Sequence, residues 1–256
     1  MPHYFTIKSL LNRRAAWSIL PCAAAAVLLA VMINAHHREA AILRADPETI
    51  LSDPDLRETA LAAGTPVYMR YCASCHGATG KGDNGFGVPD LTDDDRLYGF
   101  GTVAENEDIA RFGIRTPNKR GWNLAVMPAY ASAVPDKAEL LPPQSPADIE
   151  DMTQFLLSFT ARATDNRAAA RGRVAFDRAG CWDCHGRDAG GDPAIGAPTL
   201  TDDIWLYGGG HDDIHRSIAR GRAGLSPAFG DALSPAQLRA VAVYVASLAP
   251  SHPEKK

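Results

Sequence analysis

The stretch that decides the fold is Cys72-Ala-Ser-Cys75-His76-Gly77, which returns as Cys181-Trp-Asp-Cys184-His185-Gly186. Two cysteines three positions apart, followed at once by a histidine, form the attachment signature of c-type haem. Each thiol can form a thioether with one vinyl group of the porphyrin, and the adjacent imidazole can bind the iron. The repeated motif therefore predicts two covalently bound haem c groups.

A zinc site is the alternative use of such cysteines. Structural zinc needs four nitrogen or sulfur ligands around a tetrahedron, and a four-cysteine site shared by both motifs would leave the histidines without a role. Thiolates in an exported chain would also be open to oxidation. We therefore expect His76 and His185 to bind iron, each on one side of its haem.

The repeat extends well beyond the motifs. Residues 87–99 match residues 196–208, including Leu-Thr-Asp-Asp and Leu-Tyr-Gly in both copies. A repeat of this length predicts two domains of one type. We place the first domain at residues 57–160 and the second at residues 161–250.

Each domain is predicted to end in a helix. Ser145-Pro-Ala-Asp148 and Ser234-Pro-Ala-Gln237 both place a serine N-cap before proline and a capping-box residue at the third helical position. Shorter helices are predicted before the cysteines, at Thr65–Tyr71 and Arg171–Arg178. Because no segment alternates convincingly as a strand, the predicted fold class is all-α.

The sixth iron ligand decides whether a haem relays electrons or binds small molecules. In the first domain, Met127 precedes Pro128 in a loop, and its thioether suits a low-spin His/Met iron. Met152 lies on the apolar stripe of a predicted helix, where a core role is the better interpretation. Met127 is therefore predicted to bind the iron of the first haem.

The second domain breaks this pattern, because Ser226 stands where Met127 stands in the first. Three alternatives remain open for its sixth position. His211 or His215 binds the iron, the iron is five-coordinate, or Met69 or Met152 reaches across.

The first residues of the chain predict a membrane anchor. Residues 15–35 carry no charged side chain, and at about 1.5 Å per residue they span roughly the thickness of a hydrocarbon core. Basic residues within the preceding segment, residues 1–14, place that end in the cytoplasm by the positive-inside rule. The alternative is a cleaved signal peptide that ends near residues 34–35.

The remaining boundaries and the composition complete this prediction. We expect residues 36–56 to be a spacer and residues 251–256 a solvated tail. The formal net charge is −4, which argues against nucleic-acid binding. Five cysteines in 256 residues are too few for a disulfide scaffold. No Ser-His-Asp arrangement, Walker loop or dinucleotide fingerprint is present.

The paired motifs, the Leu-Thr-Asp-Asp-x-x-Leu-Tyr-Gly loops and Met127-Pro-Ala-Tyr130 resemble the dihaem cytochrome c subunit of cbb-type haem–copper oxidases. The resemblance covers about residues 60–250 and implies two tandem class I cytochrome c domains behind a transmembrane helix. It also implies that Cys72, Cys75, His76 and Met127 form one haem site and that Cys181, Cys184 and His185 belong to the other. Two features differ from that subunit. Ser226 stands where the subunit has its second methionine, and the region around the anchor does not resemble the subunit's usual N-terminal segment.

The leading functional hypothesis is a membrane-tethered electron relay with no substrate of its own. It would be a single-pass protein of the bacterial inner membrane, with its haem domains in the periplasm. There it would accept electrons from a periplasmic donor and serve a respiratory complex, expected to be a terminal oxidase. A dihaem peroxidase and a gas or redox sensor are the alternatives, and both would use an open second haem.

Overall fold

Nine helices and one short two-stranded ribbon form the described part of the chain, residues 8–83, 85–135 and 140–249, in this computed structural model. The helices are α1 (Lys8–Arg44), α2 (Pro54–Tyr71), α3 (Ala73–His76), α4 (Val103–Phe112), α5 (Pro146–Ser158), α6 (Asn166–Arg178), α7 (Trp182–His185), α8 (His211–Arg220) and α9 (Pro235–Leu248). A 3₁₀ turn covers Pro47–Thr49. The strands β1 (Val134–Pro135) and β2 (Leu140–Leu141) pair antiparallel, with Val134 opposite Leu141. The all-α prediction is confirmed, whereas the predicted tail at residues 251–256 and the first seven residues lie outside the described chain.

The predicted starts of α5 and α9, the last helix of each half of the repeat, are confirmed. Ser145 Oγ accepts a hydrogen bond from Asp148 N at 3.1 Å, and the Asp148 carboxylate accepts one from Ser145 N. Ser234 and Gln237 repeat both bonds at 3.2 and 2.9 Å. These reciprocal bonds satisfy backbone N–H groups that the first helical turn leaves free, so each helix begins at a fixed residue.

The helices before the two motifs are longer than predicted. Helix α2 begins at Pro54 because the Asp53 carboxylate accepts from the backbone N–H groups of the first turn. Helix α6 begins at Asn166, where Asp165 caps it in the same way. With aspartate N-caps, the two helices begin about three turns and about one turn before the predicted starts at Thr65 and Arg171.

The two halves of the chain exchange their last helices. Helix α9 packs on α2 and α4, whereas α5 packs on α6 and α8. A first unit therefore consists of α2, α3, α4 and α9, and a second unit consists of α5 to α8. Each unit joins elements from both halves of the repeat.

Two glycines mark where these helices cross. A Cβ at Gly64 in α2 would lie 2.2 Å from the carbonyl oxygen of Ala240 in α9. A Cβ at Gly172 in α6 would lie 1.9 Å from the carbonyl oxygen of Asp151 in α5. The backbones touch directly at both crossings, so the exchange depends on residues without side chains.

The units have separate apolar cores. In the first unit, Tyr68 and Leu238 are fully buried and pack with Val67, Leu233 and Val241. In the second, Met152 packs with Phe155, Phe176, Ile214 and Ile218. Met152 is 1% exposed, so it is a core residue, as its place on the apolar stripe predicted.

Helix α1 contains the predicted anchor and continues past it. Among the described residues, Ala23–Arg44 is the one segment long and apolar enough to cross a membrane. The predicted spacer is not free chain, because Ile42 and Ile50 are buried against α9 and its neighbours. Arg239 in α9 also donates hydrogen bonds to carbonyl oxygens near the end of α1. The end of α1 is thus attached to the first unit.

Candidate haem-binding sites

Each cysteine motif forms a single helical turn. His76 N donates to Cys72 O at 3.0 Å, and His185 N donates to Cys181 O at 3.0 Å. Both turns end at a glycine in the left-handed region, with φ of 75° at Gly77 and 76° at Gly186, a conformation that other residues rarely adopt. This turn brings the two thiols and the imidazole of each motif together.

The ring of each motif histidine is held by a proline carbonyl. His76 Nδ1 donates to Pro89 O at 3.2 Å, and His185 Nδ1 donates to Pro198 O at 2.9 Å. With the proton on Nδ1, the lone pair of Nε2 stays free for a metal. Burial also lowers the pKa of both imidazoles, which favours the neutral form that binds iron.

None of the four motif cysteines forms a disulfide. Burial raises the pKa of Cys72 and of Cys181 to about 11, so both are protonated at neutral pH. Within the described chain, no three His, Cys, Asp or Glu side chains converge on a position for one metal ion. The donor set therefore fits thioether attachment of a porphyrin and gives no support to a zinc site.

The surroundings also fit a flat apolar group with polar edges. The large apolar side chains Leu124, Val126 and Leu225 flank the loops that hold Met127 and Ser226, and all three are exposed. The buried hydroxyl of Tyr98 makes no hydrogen bond of ordinary length within the described residues. A porphyrin face would cover the apolar side chains, and a propionate would supply a partner for such a hydroxyl.

Met127 lies beside the second motif and not beside the first, which corrects the prediction. Its backbone exchanges two hydrogen bonds of 3.0 Å with Arg222, and Tyr130 N donates to Ile218 O in α8. The Met127 side chain packs against the core cluster of the second unit, which also contacts Cys181 and Trp182. Met127 lies in the second unit because its loop leads directly into α5, and α5 packs on α6 and α8 of that unit.

Ser226 lies in the matching position beside the first motif. Its backbone exchanges hydrogen bonds of 2.9 and 3.1 Å with Ile114, directly after α4. The ring of Phe229, three residues on, lies 5.8 Å from the ring of Tyr71, and Phe229 packs in the same cluster as Cys72. The loop without methionine thus packs in the unit of the first motif, and the loop with methionine packs in the unit of the second.

Met152 is buried in the core cluster of the second unit, against which Cys181 also packs, and the other three candidate ligands of the second haem are engaged elsewhere. His211 Nε2 lies 2.9 Å from Glu150, and its Nδ1 lies 2.9 Å from Asp212. His215 stacks against His211 on the same face of α8. Met69 is 49% exposed on α2 in the other unit. The structure does not bring any of these three side chains into the core beside Cys181.

Tyr98 and Tyr207, which occupy equivalent places in the repeat, each pack against the other half of the chain. Tyr98 packs on Gly196, and Tyr207 packs on Gly87, so closely that a Cβ on either glycine would lie about 2 Å from the ring. The guanidinium of Arg222 lies 4.2 Å from the centre of the Tyr207 ring. Both tyrosines and both glycines belong to the internal repeat, so each tyrosine of one copy packs on the glycine of the other copy. The repetition of these four residues is the sequence feature that could have predicted the contact.

Comparison with protein families agrees with this architecture. Residues 61–160 match the family described as cytochrome c. Residues 167–245 match the family described as cytochrome c oxidase, cbb3-type, subunit III. Cytochrome c domains carry haem c, and these matches cover both cysteine motifs.

Curated relatives match over most of the chain. The subunit FixP of a cbb3-type cytochrome c oxidase from Azorhizobium caulinodans is 37% identical over 78% of this chain and 64% of its own length. The subunit CcoP from Rhodobacter capsulatus is 39% identical over 81% of this chain and 68% of its own length. The chain thus spans about two thirds of the length of the relatives that it matches. On this similarity, the chain belongs to the CcoP and FixP family of cbb3-type cytochrome c oxidase subunits.

Proposed function

We propose that this protein is a membrane-anchored dihaem cytochrome c that relays electrons to the oxygen-reducing core of a cbb3-type oxidase. The family assignment supports an oxidase partner, because the relatives are named as subunits of that enzyme. It also favours a relay over a peroxidase or a sensor. When bound, haem iron supplies a site that takes up and releases one electron at a time.

The observation that carries the proposal is the duplicated motif geometry. Cys72 and Cys75 attach the first haem, and Cys181 and Cys184 attach the second. His76 and His185 bind the two irons through Nε2, since each Nδ1–H is held by a proline carbonyl. These hydrogen bonds fix the plane of each imidazole and increase its basicity, as they do for metal-binding histidines in general.

Met127 is the sixth ligand of the second haem in this proposal. A thioether prefers the ferrous state and raises the potential of the iron. Its loop is fixed by the two backbone bonds to Arg222, so the thioether would be held in place for a haem attached at the second motif. A rigid ligand suits electron transfer, because little has to move when the charge changes.

The membrane orientation follows from charge. Lys8, Arg13 and Arg14 precede the apolar part of α1, so the positive-inside rule places that end in the cytoplasm and both haem units in the periplasm. An electron donor would then approach from the periplasm. The domain boundaries at residues 57–160 and 161–250 remain part of the proposal as segments of sequence, although each folded unit draws on both.

Purification from membranes of a host that matures c-type cytochromes tests the proposal. We expect the full chain to gain the mass of two haems and to stain for covalent haem. The Cys72→Ala/Cys75→Ala and Cys181→Ala/Cys184→Ala variants should each lose one haem. A bare polypeptide would overturn the proposal.

Copurification tests the partner. We expect a tagged chain to bring down the membrane core of the oxidase and to be re-oxidised by it under oxygen. A variant without residues 1–35 serves as the matched control for anchoring. Normal haem content without any oxidase core, or a reduced chain that the core does not re-oxidise, would contradict the role as its relay.

A further inference from the structure

We propose that the haem attached at Cys72 and Cys75 is a binding site for a small neutral diatomic ligand such as carbon monoxide. The ligand would bind the iron on the side opposite His76, beside Ser226. This inference rests on the proposed function, because it requires a haem at each motif. It goes beyond that function, because an electron relay needs no exchangeable ligand.

The position of Ser226 is the first observation. The 226–229 loop runs beside the end of α4, and Phe229 N donates to Ala110 O at 2.9 Å. The equivalent loop of the second unit runs beside α8 and carries Met127. The two loops are equivalent segments of the repeat and make equivalent backbone bonds. Ser226 therefore occupies in the first unit the position that Met127 occupies in the second.

A serine hydroxyl is a poor ligand for ferrous haem. It is a hard oxygen donor, whereas ferrous haem prefers imidazole, thioether and π-accepting ligands. Ser226 therefore leaves the iron open to a small molecule that binds Fe(II) well. The neighbouring Leu225 is apolar and exposed, which suits a neutral ligand better than a charged one.

The soft ligands of the described chain are placed elsewhere. Met127 and Met152 lie in the second unit, and His211 is paired with Glu150. Met69 lies in the last turn before Cys72, on the outer face of α2 beside the buried Val67 and Tyr68.

The loop is also held in place, so it does not open for another residue of the chain. Arg115 Nη1 donates to Gly224 O at 2.6 Å, and its Nε and Nη2 donate to Ala125 O. The backbone pair between Ile114 and Ser226 adds two further bonds. Arg115 thus ties the loop of Ser226 to the loop of Met127 and fixes both.

Titration of the reduced full-length protein with carbon monoxide tests the proposal. We expect one carbon monoxide for every two haems, measured by the change in the haem absorption spectrum. In the oxidised protein, one haem should show the far-red band of a methionine–iron bond. Binding of no carbon monoxide, or of two, by protein with two haems would overturn the inference while leaving the proposed relay intact.

Substitution at the two loops assigns the site. Ser226→Met should abolish binding and double the methionine–iron band, whereas Ser226→Ala, the matched control, should still bind one carbon monoxide. Met127→Ala should raise the amount of bound carbon monoxide to two molecules for every two haems. An unchanged carbon monoxide ratio in both Ser226→Met and Met127→Ala would contradict the assignment.

Variants with a single haem identify the motif independently. Cys72→Ala/Cys75→Ala should lose carbon monoxide binding and keep the methionine–iron band. Cys181→Ala/Cys184→Ala should show the reverse. The opposite pattern would place the open iron in the second unit. If neither variant accumulates, the Ser226→Met result decides alone.

Discussion

Glu107 in α4 is 8% exposed, and two arginines form ion pairs with its carboxylate. It pairs with Arg111 one turn away and with Arg239 in α9. Arg239 also donates to the carbonyl oxygens of Ile42 and Ala45. One carboxylate thus holds together α4, α9 and, through Arg239, the end of α1.

Replacing Glu107 by glutamine should destabilise the first unit by about 3 kcal/mol, because removing one partner leaves buried charge without compensation. Chemical denaturation followed by circular dichroism measures the change. The pair between Arg173 and Asp177 is exposed and provides the control, since Asp177→Asn should change stability by less than about 1 kcal/mol. Equal effects at both sites would show that burial does not matter.

His211 gives a prediction that depends on pH. Hydrogen bonds to Asp212 and Glu150 raise the pKa of His211, and the bond to His211 lowers the pKa of Glu150. The stabilisation is complete below the unfolded histidine value of about 6.5 and is lost as pH rises through the higher folded pKa. At acidic pH it is lost again as Glu150 becomes protonated.

We therefore expect His211→Gln to reduce stability most near pH 6, by under about 1 kcal/mol because the pair is exposed, and not at all near pH 9. Denaturation of both proteins across this range provides the measurement. His215→Gln is the comparison and should have a smaller effect, because His215 interacts with Glu150 only through charge at longer range. A difference that grows towards pH 9 would contradict the assigned pair.

At the scale of the helices, Gly64 and Gly172 allow the close crossings of α2 with α9 and of α6 with α5. In an isolated helix, Gly→Ala stabilises by about 1 kcal/mol. Here the sign reverses, because a Cβ at Gly64 would lie 2.2 Å from backbone in α9. We expect Gly64→Ala and Gly172→Ala each to destabilise by about 1–3 kcal/mol through overpacking.

The thermal midpoint of the holoprotein measures this effect. Gly190→Ala is the matched control, since its nearest neighbour would be a side-chain atom at 3.4 Å, an ordinary contact. We expect the control to leave the midpoint unchanged. If Gly64→Ala or Gly172→Ala raised the midpoint, the close crossing would be refuted.

The sequence predicted helix starts far better than helix partners. Ser145 with Asp148, and Ser234 with Gln237, are local signals within one turn, so the bonds follow from the residues themselves. Asp53 and Asp165 carried the same signal for α2 and α6 and were overlooked. The packing partner of each helix could not be predicted, because α5 and α9 share one capping pattern and one spacing of apolar residues.

The same ambiguity explains the correction at Met127. The motif cysteines and histidines are contiguous, so their site was predictable from spacing alone. The residue on the opposite side of the iron arrives from a distant loop, and its unit depends on which helix that loop precedes. The short connection from Ser158 to Asn166 favours direct pairing of α5 with α6, and it was the available clue.

For the whole molecule, the exchange means that a cut between the two repeats does not release two complete domains. Residues 57–160 contain α2 but not its partner α9, and residues 161–250 contain α6 but not its partner α5. Each half would expose an apolar helix face that the other half covers. We expect neither half alone to unfold cooperatively.

Coexpression of the two halves as separate chains tests this expectation. They should form a one-to-one complex with two haems, detected by size exclusion and native mass spectrometry. The intact chain is the reference for haem content and thermal midpoint. Two independently folded monomers, each with a cooperative transition, would rule out exchanged helices.

The exchange also sets an order of assembly during biosynthesis. A nascent chain emerges from its N-terminus first, so Cys72 and Cys75 emerge long before α9 at Pro235–Leu248. The second motif, by contrast, emerges when its partner α5 is already outside. The unit that is translated first is therefore completed last, and a haem attached to its thiols during export would enter a pocket that still lacks one wall.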